Sequence, residues 1–291
     1  MFGQSIPHGF AGGIATFALR FLGIAGGQRS RPGGFNFCEG AGGAGEYIEK
    51  TSLNLELSQN YQVIIGAGNG GDTTFRTNGS QSNTFSFILS GNSGWGANAY
   101  GNYRSPGGAT LNESAQGSLG NSGGNDWNPP GFFASGGGGG AGGAGEDSAF
   151  KDPGNGGAGV SSDITGSAVV RGGGGGGGVV WTISGGYMST SQVNSSGLGN
   201  GGGGRGGVVD YEGDAEYVRR TPTNGTANTG GGGGGKGTTQ SATNGGSGVV
   251  IIRYPNTLTI TVGSGLTFTT TTTGTDKVTT FTAGSDNISF A

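Results

Sequence analysis

The chain has 291 residues, of which 75 are glycine, 17 acidic, 14 basic, one histidine (His8) and one cysteine (Cys38). Glycine at about a quarter of the residues, against roughly 7% in ordinary proteins, excludes a core of packed side chains along the whole chain. The net charge of −3 argues against nucleic acid as the main partner, and one cysteine with one histidine leaves too little material for a disulfide or a His/Cys metal site.

The first region, residues 1–130, begins with an apolar segment that alternates from Phe17 to Phe21. It has no basic residue before the apolar part, and Arg20 interrupts it, so we interpret residues 15–25 as a strand and not a signal peptide. The segment is too short and too broken by glycine to insert into a membrane. Alternating apolar residues on either side of residues 58–60 predict a hairpin over 53–65, and residues 83–89 predict a further strand. Residues 91–130 predict a long loop.

The second region, residues 131–254, alternates pure glycine runs with polar inserts. The longest run is Gly172, Gly173, Gly174, Gly175, Gly176, Gly177 and Gly178. Glycine in such quantity suits the extended polyproline-II form, in which peptide groups point outward and must be satisfied by neighbouring segments. Because only 11% of residues are charged, repulsion does not keep the chain expanded. We therefore expect the runs to form an ordered lattice of polyglycine-II helices.

The inserts between glycine runs carry aromatic and large apolar residues in Ser-, Asn- and Thr-rich surroundings: Trp181, Tyr187, Met188, Tyr211 and Tyr217. Rigid aromatic rings among adaptable polar residues are typical of recognition surfaces. The structural alternative is that these side chains cover the flanks of the lattice, because glycine itself supplies almost no apolar area.

The chain closes with a continuous apolar run, Val249–Tyr254, that predicts a strand buried on both faces. The third region, residues 255–291, is a threonine-rich tail. Its alternation predicts three or four short strands with turns at Gly263-Ser264, Gly274-Thr275 and Gly284-Ser285. The predicted fold class is mainly β with little or no helix. A polyglycine-II sandwich is flanked by short strands and followed by the β tail.

Four features together resemble the glycine-rich domain of bacteriophage tail-fibre and adhesin proteins: ALRFLGIAGG, YQVIIGAGNGG, the glycine runs with variable inserts, and the closing GGSGVVIIRYP. The resemblance implies a virion protein, made in the host cytoplasm, that contacts other tail or fibre proteins and binds a bacterial surface receptor of protein or polysaccharide through its loops. Unpaired strand edges in the tail would suit a homotrimer.

Other functions have weaker support in the sequence. Gly230–Gly237 approaches a phosphate-binding loop, but Gly237 stands where the loop needs Ser or Thr. The acidic residues Glu212, Asp214 and Glu216 could form a glycosidase pair, although a solvated loop is the default, so we expect no enzyme and no cofactor. A non-adhesive virion fibre, a head or neck decoration protein and a structural or ice-binding glycine lattice remain alternatives.

Overall fold

The computed structural model describes residues 15–30, 38, 40–78, 86–91, 121–126, 132–149, 152–181, 197–212 and 215–291. These residues form strands, turns and extended glycine segments without a helix, and so include no helix that could cross a bilayer. The predicted mainly β class is confirmed. The strands are β1 (Thr16–Ile24), β2 (Tyr47–Glu56), β3 (Tyr61–Ile64), β4 (Thr73–Thr77), β5 (Ser86–Leu89), β6 (Phe132–Ala134), β7 (Val160–Ser162), β8 (Val169–Arg171), β9 (Val179–Trp181), β10 (Val208–Glu212), β11 (Ala215–Arg220), β12 (Val249–Pro255), β13 (Ile260–Val262), β14 (Leu266–Thr273) and β15 (Asp276–Phe290).

The last strand, β15, organises the largest sheet, because its two halves have different partners. Its first half pairs with β12, which continues through β1 to β2. Its second half pairs with β3, which continues through β4 to β5. The two branches face each other, since Phe21 of β1 stacks on Phe75 of β4 and Phe87 of β5 at centroid distances of 4.9 and 5.3 Å. We call this unit the β-sandwich.

The β-sandwich core confirms two strand predictions. The odd-numbered residues Phe17, Leu19 and Phe21 of β1 all lie in or against the core between the branches. Strand β12 lies between β1 and β15, with Val250 and Ile252 on this core. Its neighbours Val249 and Ile251 face a second cluster, on the opposite side of the sheet, as expected for a strand buried on both faces.

The predicted hairpin over residues 53–65 is wrong. Both strands exist and a turn at Leu57-Ser58 joins them, but β2 pairs with β1 whereas β3 pairs with β4 and β15. Tyr61 explains the difference, because its buried hydroxyl accepts from the Glu56 N–H at 2.7 Å and fixes a corner between the two branches. Local alternation identifies strands, but it does not identify their partners.

Only one of the three turns predicted in the tail reverses the chain. Gly274-Thr275 joins β14 to β15 in a hairpin. Strands β13 and β14 lie along the same strand, β15, so residues 263–265 form a kink. Gly284, with a φ of 97°, lies within β15 opposite this kink. The bend is where β15 changes its partner from β12 to β3, so the glycines shape one long hairpin.

Glycine segments continue the strands of the β-sandwich beyond its end. Residues 25–30 follow β1, residues 40–46 lead into β2, and residues 244–248 lead into β12. The other runs pass back and forth between this end and a second, four-stranded sheet in the order β11-β10-β9-β6. We call this the distal sheet. The three predicted regions share the β-sandwich, since strands of the first pair with β12 of the second and β15 of the third.

Candidate functional site

The seven-glycine run Gly172–Gly178 is the centre of the lattice. It exchanges backbone hydrogen bonds with segments 40–43, 135–141, 154–157, 197–200, 201–204 and 229–235. All seven residues are buried. An extended glycine chain surrounded on all sides by others is the arrangement that the sequence predicts.

The partners of the central run repeat every three residues. Gly173 and Gly176 donate to Gly201 and Gly204, three residues apart on one neighbour. Gly174 and Gly177 donate to Gly157 and Gly154, which descend along an antiparallel neighbour. A three-residue turn is the geometry of polyglycine II and polyproline II, and a β-ladder would repeat every two residues.

Neighbouring backbone lies too close to the central run to leave room for side chains. A Cβ built on Gly173 would lie 1.7 Å from the Asn200 carbonyl oxygen, and one on Gly174 would lie 1.9 Å from that of Gly138. Backbone of neighbouring runs occupies the space that any other residue needs. The run is therefore specified by the absence of side chains, as on the axis of collagen.

Strands of the distal sheet continue directly from glycine segments of the lattice. Strand β9 follows the central run, and β10 follows residues 203–207 and pairs with it in parallel. Ala134, Val179, Trp181 and Val208 form its small apolar cluster. Parallel strands need a crossover connection, and here the chain returns to the start of β10 through the lattice segment 197–207 and not through a helix.

The predicted contact residues do not lie together in one setting. Trp181 is only 6% exposed and lies in the apolar cluster, so its surface in this chain is used in packing. Tyr211 lies opposite Glu216, and Tyr217 opposite Asp210, in the hairpin of β10 and β11. Tyr187 and Met188 lie outside the described residues. Trp181 thus fits the structural alternative, and Tyr211 and Tyr217 share one hairpin.

Charged groups surround the distal sheet. Asp210 is 1% exposed and its Oδ2 accepts from Arg219 at 3.3 Å. Burial, with the nearby charge of Arg220, lowers the pKa of Arg205. Burial also raises the pKa of Asp126 to about 6, although its Oδ1 accepts a hydrogen bond from the Gly136 N–H at 2.8 Å. The end of the lattice at the distal sheet therefore carries both acidic and basic groups in partly desolvated positions.

The glycosidase and phosphate-loop patterns have different structural settings. Glu212 and Glu216 belong to neighbouring strands, and Asp214 lies outside the described residues. In the run 230–237, the N–H groups of Gly232 to Gly235 already donate to lattice carbonyls. They are not free to bind phosphate.

At the other end of the lattice, an ionic cluster that sequence reasoning missed holds the β7–β8 hairpin against the β-sandwich. Arg20 contacts Glu49 at 3.1 Å and Asp163 at 2.6 Å. Glu49 also accepts from the hydroxyls of Tyr47 at 2.6 Å and Ser162 at 2.9 Å. The hydrogen bond to Asp163 is the main cause of a raised Arg20 pKa. The available signal was a single arginine inside an apolar strand.

Comparison with known proteins assigns the chain to a family. A family model described as a glycine-rich domain matches residues 15–255, and the chain belongs to that family. No curated protein and no solved structure matches it.

Proposed function

We propose, from the membership of this chain in the glycine-rich domain family and from the two unlike ends of its lattice, that it is a structural protein of a bacteriophage virion. In this proposal it is a tail fibre or fibre-tip adhesin. The distal sheet faces a bacterial surface receptor, protein or polysaccharide, and the β-sandwich faces other virion proteins.

The hydrogen-bonded centre of the lattice is the observation that carries the proposal. The run Gly172–Gly178 exchanges hydrogen bonds with every surrounding segment, so the lattice resists bending. A rigid support lets loops bind with little loss of conformational entropy. Recognition residues on loops held by a rigid scaffold are a common division of labour in proteins.

The β10–β11 hairpin is the described part of the distal sheet to test first, because it carries Tyr211 and Tyr217 on adjacent strands. Tyrosine gives large contact area with few rotatable bonds and also a hydrogen-bonding hydroxyl. We propose that these two residues contact the receptor.

The test uses particles of the virus that encodes the chain. Changing Tyr211 and Tyr217 to Ala should lower host adsorption at least tenfold while particle yield and protein unfolding stay unchanged. Ile88→Ala is the matched control, because Ile88 is 57% exposed but belongs to the β-sandwich. Normal adsorption of the double variant would refute a receptor role for this hairpin.

A non-adhesive virion protein is the second candidate, and the burial of Trp181 favours it. In that case the distal sheet docks onto another virion component, as in a fibre segment or a head or neck decoration. Particles made without the chain distinguish the two. Loss of an adhesin leaves assembled particles that do not adsorb, whereas loss of a structural component blocks assembly or leaves adsorption intact.

A further inference from the structure

The longest uncharged edge of the β-sandwich is β14, the outer strand of the long tail hairpin. Among the described residues β14 pairs with β15 alone, over its whole length from Leu266 to Thr273. Residues Thr267 to Thr272 are all exposed. Along such an edge, alternate N–H and C=O groups point to solvent and can accept another strand.

The β14 edge lacks the features with which proteins usually prevent such pairing. Its sequence, LTFTTTTT, contains no charge and no proline. By contrast, the edge strand β2 carries Glu49 and Lys50, and the edge strand β11 of the distal sheet carries Arg219 and Arg220. The register shift in the hairpin comes from an extra residue in β15, Thr282, which has no residue of β14 opposite it in the ladder, so β14 stays regular. Long, neutral and regular edges pair readily.

We propose that two copies of the chain associate through β14, paired antiparallel about a two-fold axis within residues 269–273. Those five residues are all threonine and read the same in both directions, so antiparallel pairing sets Thr against Thr in any nearby register. Cross-strand Thr pairs are favourable, and an uncharged strand does not repel its own copy. The β-sheets of the two copies become continuous across the axis.

A dimer follows from the geometry more directly than the trimer that the sequence suggested. A strand edge that pairs with itself does so through a two-fold axis. A ring of three needs two different edges on each copy, and β13, the other edge strand of the tail, is only three residues long, from Ile260 to Val262. One strand pair is a small interface, so we expect a dissociation constant of the dimer in the micromolar range.

This inference concerns the β-sandwich and does not depend on the proposed receptor role of the distal sheet. Pairing through β14 would leave the distal sheets of both copies uncovered. A paired assembly would therefore present two such ends.

Sedimentation velocity of the full chain over a concentration series is the first test. Wild type should show a monomer–dimer equilibrium, and Thr269→Lys with Thr271→Lys should raise its dissociation constant at least tenfold, because like charges meet across the axis. The matched control is Thr257→Lys with Thr259→Lys, which adds the same charges at the same spacing on exposed residues before β13. A wild-type monomer at every concentration, a trimer, or equal effects of the two pairs would overturn the proposal.

Cysteine cross-linking is the second test, in a Cys38→Ser background. Cα atoms of residues opposite each other in antiparallel strands are about 4.5 to 5.5 Å apart, within reach of a disulfide. One of the five single variants from Thr269→Cys to Thr273→Cys, whichever is closest to the axis, should give a covalent dimer on mild oxidation, and Thr257→Cys should not. Failure of all five, with a wild-type dimer still present, would place the interface elsewhere.

Discussion

Gly175→Ala is the change that most directly tests whether the glycine lattice is a close-packed solid. Gly175 lies at the middle of the central run, where its N–H donates to the Gly42 carbonyl at 3.0 Å and its own carbonyl accepts from the Gly138 N–H at 2.8 Å. An added Cβ would lie 2.1 Å from the Gly233 carbonyl oxygen and 2.6 Å from its carbon. All of the nearest atoms are backbone, so no side chain can rotate away.

The magnitude follows from how far the neighbouring run must move. Relieving a 2.1 Å contact requires a shift of about 1 Å, and overpacking of this kind typically costs about 1 to 3 kcal/mol. The shift also stretches the bonds from Gly42 N–H to the Gly233 carbonyl and from Gly233 N–H to the Gln28 carbonyl, at 2.8 and 2.9 Å. Each is worth about 1 kcal/mol. We expect a total loss of about 3 to 5 kcal/mol.

Gly143→Ala is the matched control, because the nearest atoms to its Cβ are 3.6 Å away, at Ala158. Fewer conformations in the unfolded chain should make that variant about 0.4 to 1 kcal/mol more stable. Thermal and denaturant unfolding, with far-UV circular dichroism as the probe, compare both variants with wild type. If the free energy of unfolding of Gly175→Ala is within about 0.5 kcal/mol of the wild-type value, the lattice is not close-packed at Gly175 and is not a rigid support for the distal sheet.

Three further predictions test other parts of the molecule. Amides of Gly173 to Gly177 should exchange with solvent as slowly as those of β12, since all are buried and hydrogen-bonded; rapid exchange measured by NMR or mass spectrometry would contradict this. Phe21→Ala should lower the free energy of unfolding by about 3 to 5 kcal/mol, because Phe21 is fully buried between Phe75 and Phe87; a loss below 1 kcal/mol in denaturant titration would show that the two branches do not pack as described. Burial raises the pKa of Asp126 to about 6. The protonated carboxyl therefore stabilises the fold at pH values below its ordinary pKa, and this stability is lost as pH rises through 6. Between pH 4 and pH 7 the free energy of unfolding of Asp126→Asn should therefore fall by up to about 2 to 3 kcal/mol less than that of wild type. Parallel pH–stability curves for the two proteins would argue against burial of this carboxyl.

The sequence predicts most elements of this fold and few of their partners. Alternation in β1 and β12 identifies strands and their buried faces, because one chain segment contains that information. The pairing of β3 with the shared strand β15, as between Tyr61 and Ile288, joins residues more than 200 positions apart. Such pairing depends on which apolar faces meet in three dimensions. For the same reason a glycine in the tail predicts a bend at Gly263 or Gly284 but not whether the chain reverses there.

The candidate site shows a similar division. Tyr211 and Tyr217 could be predicted to lie together, since only a short segment separates them. The burial of Trp181 could not, because its cluster comes from Ala134, Val179 and Val208, which the lattice brings together. A tryptophan in a polar insert has the same local pattern whether it faces solvent or packs under a neighbouring strand.

The register of the lattice must come from residues other than glycine. A glycine run that slides by one three-residue turn regains equivalent hydrogen bonds, so the runs alone do not choose a register. Side chains at their ends do choose one. The Ser135 hydroxyl accepts from the Gly178 N–H at 2.8 Å, and the Thr243 hydroxyl donates to the Gly234 carbonyl at 2.6 Å. Hydroxyl residues next to the runs therefore align the segments, and with them the strands that emerge into the distal sheet.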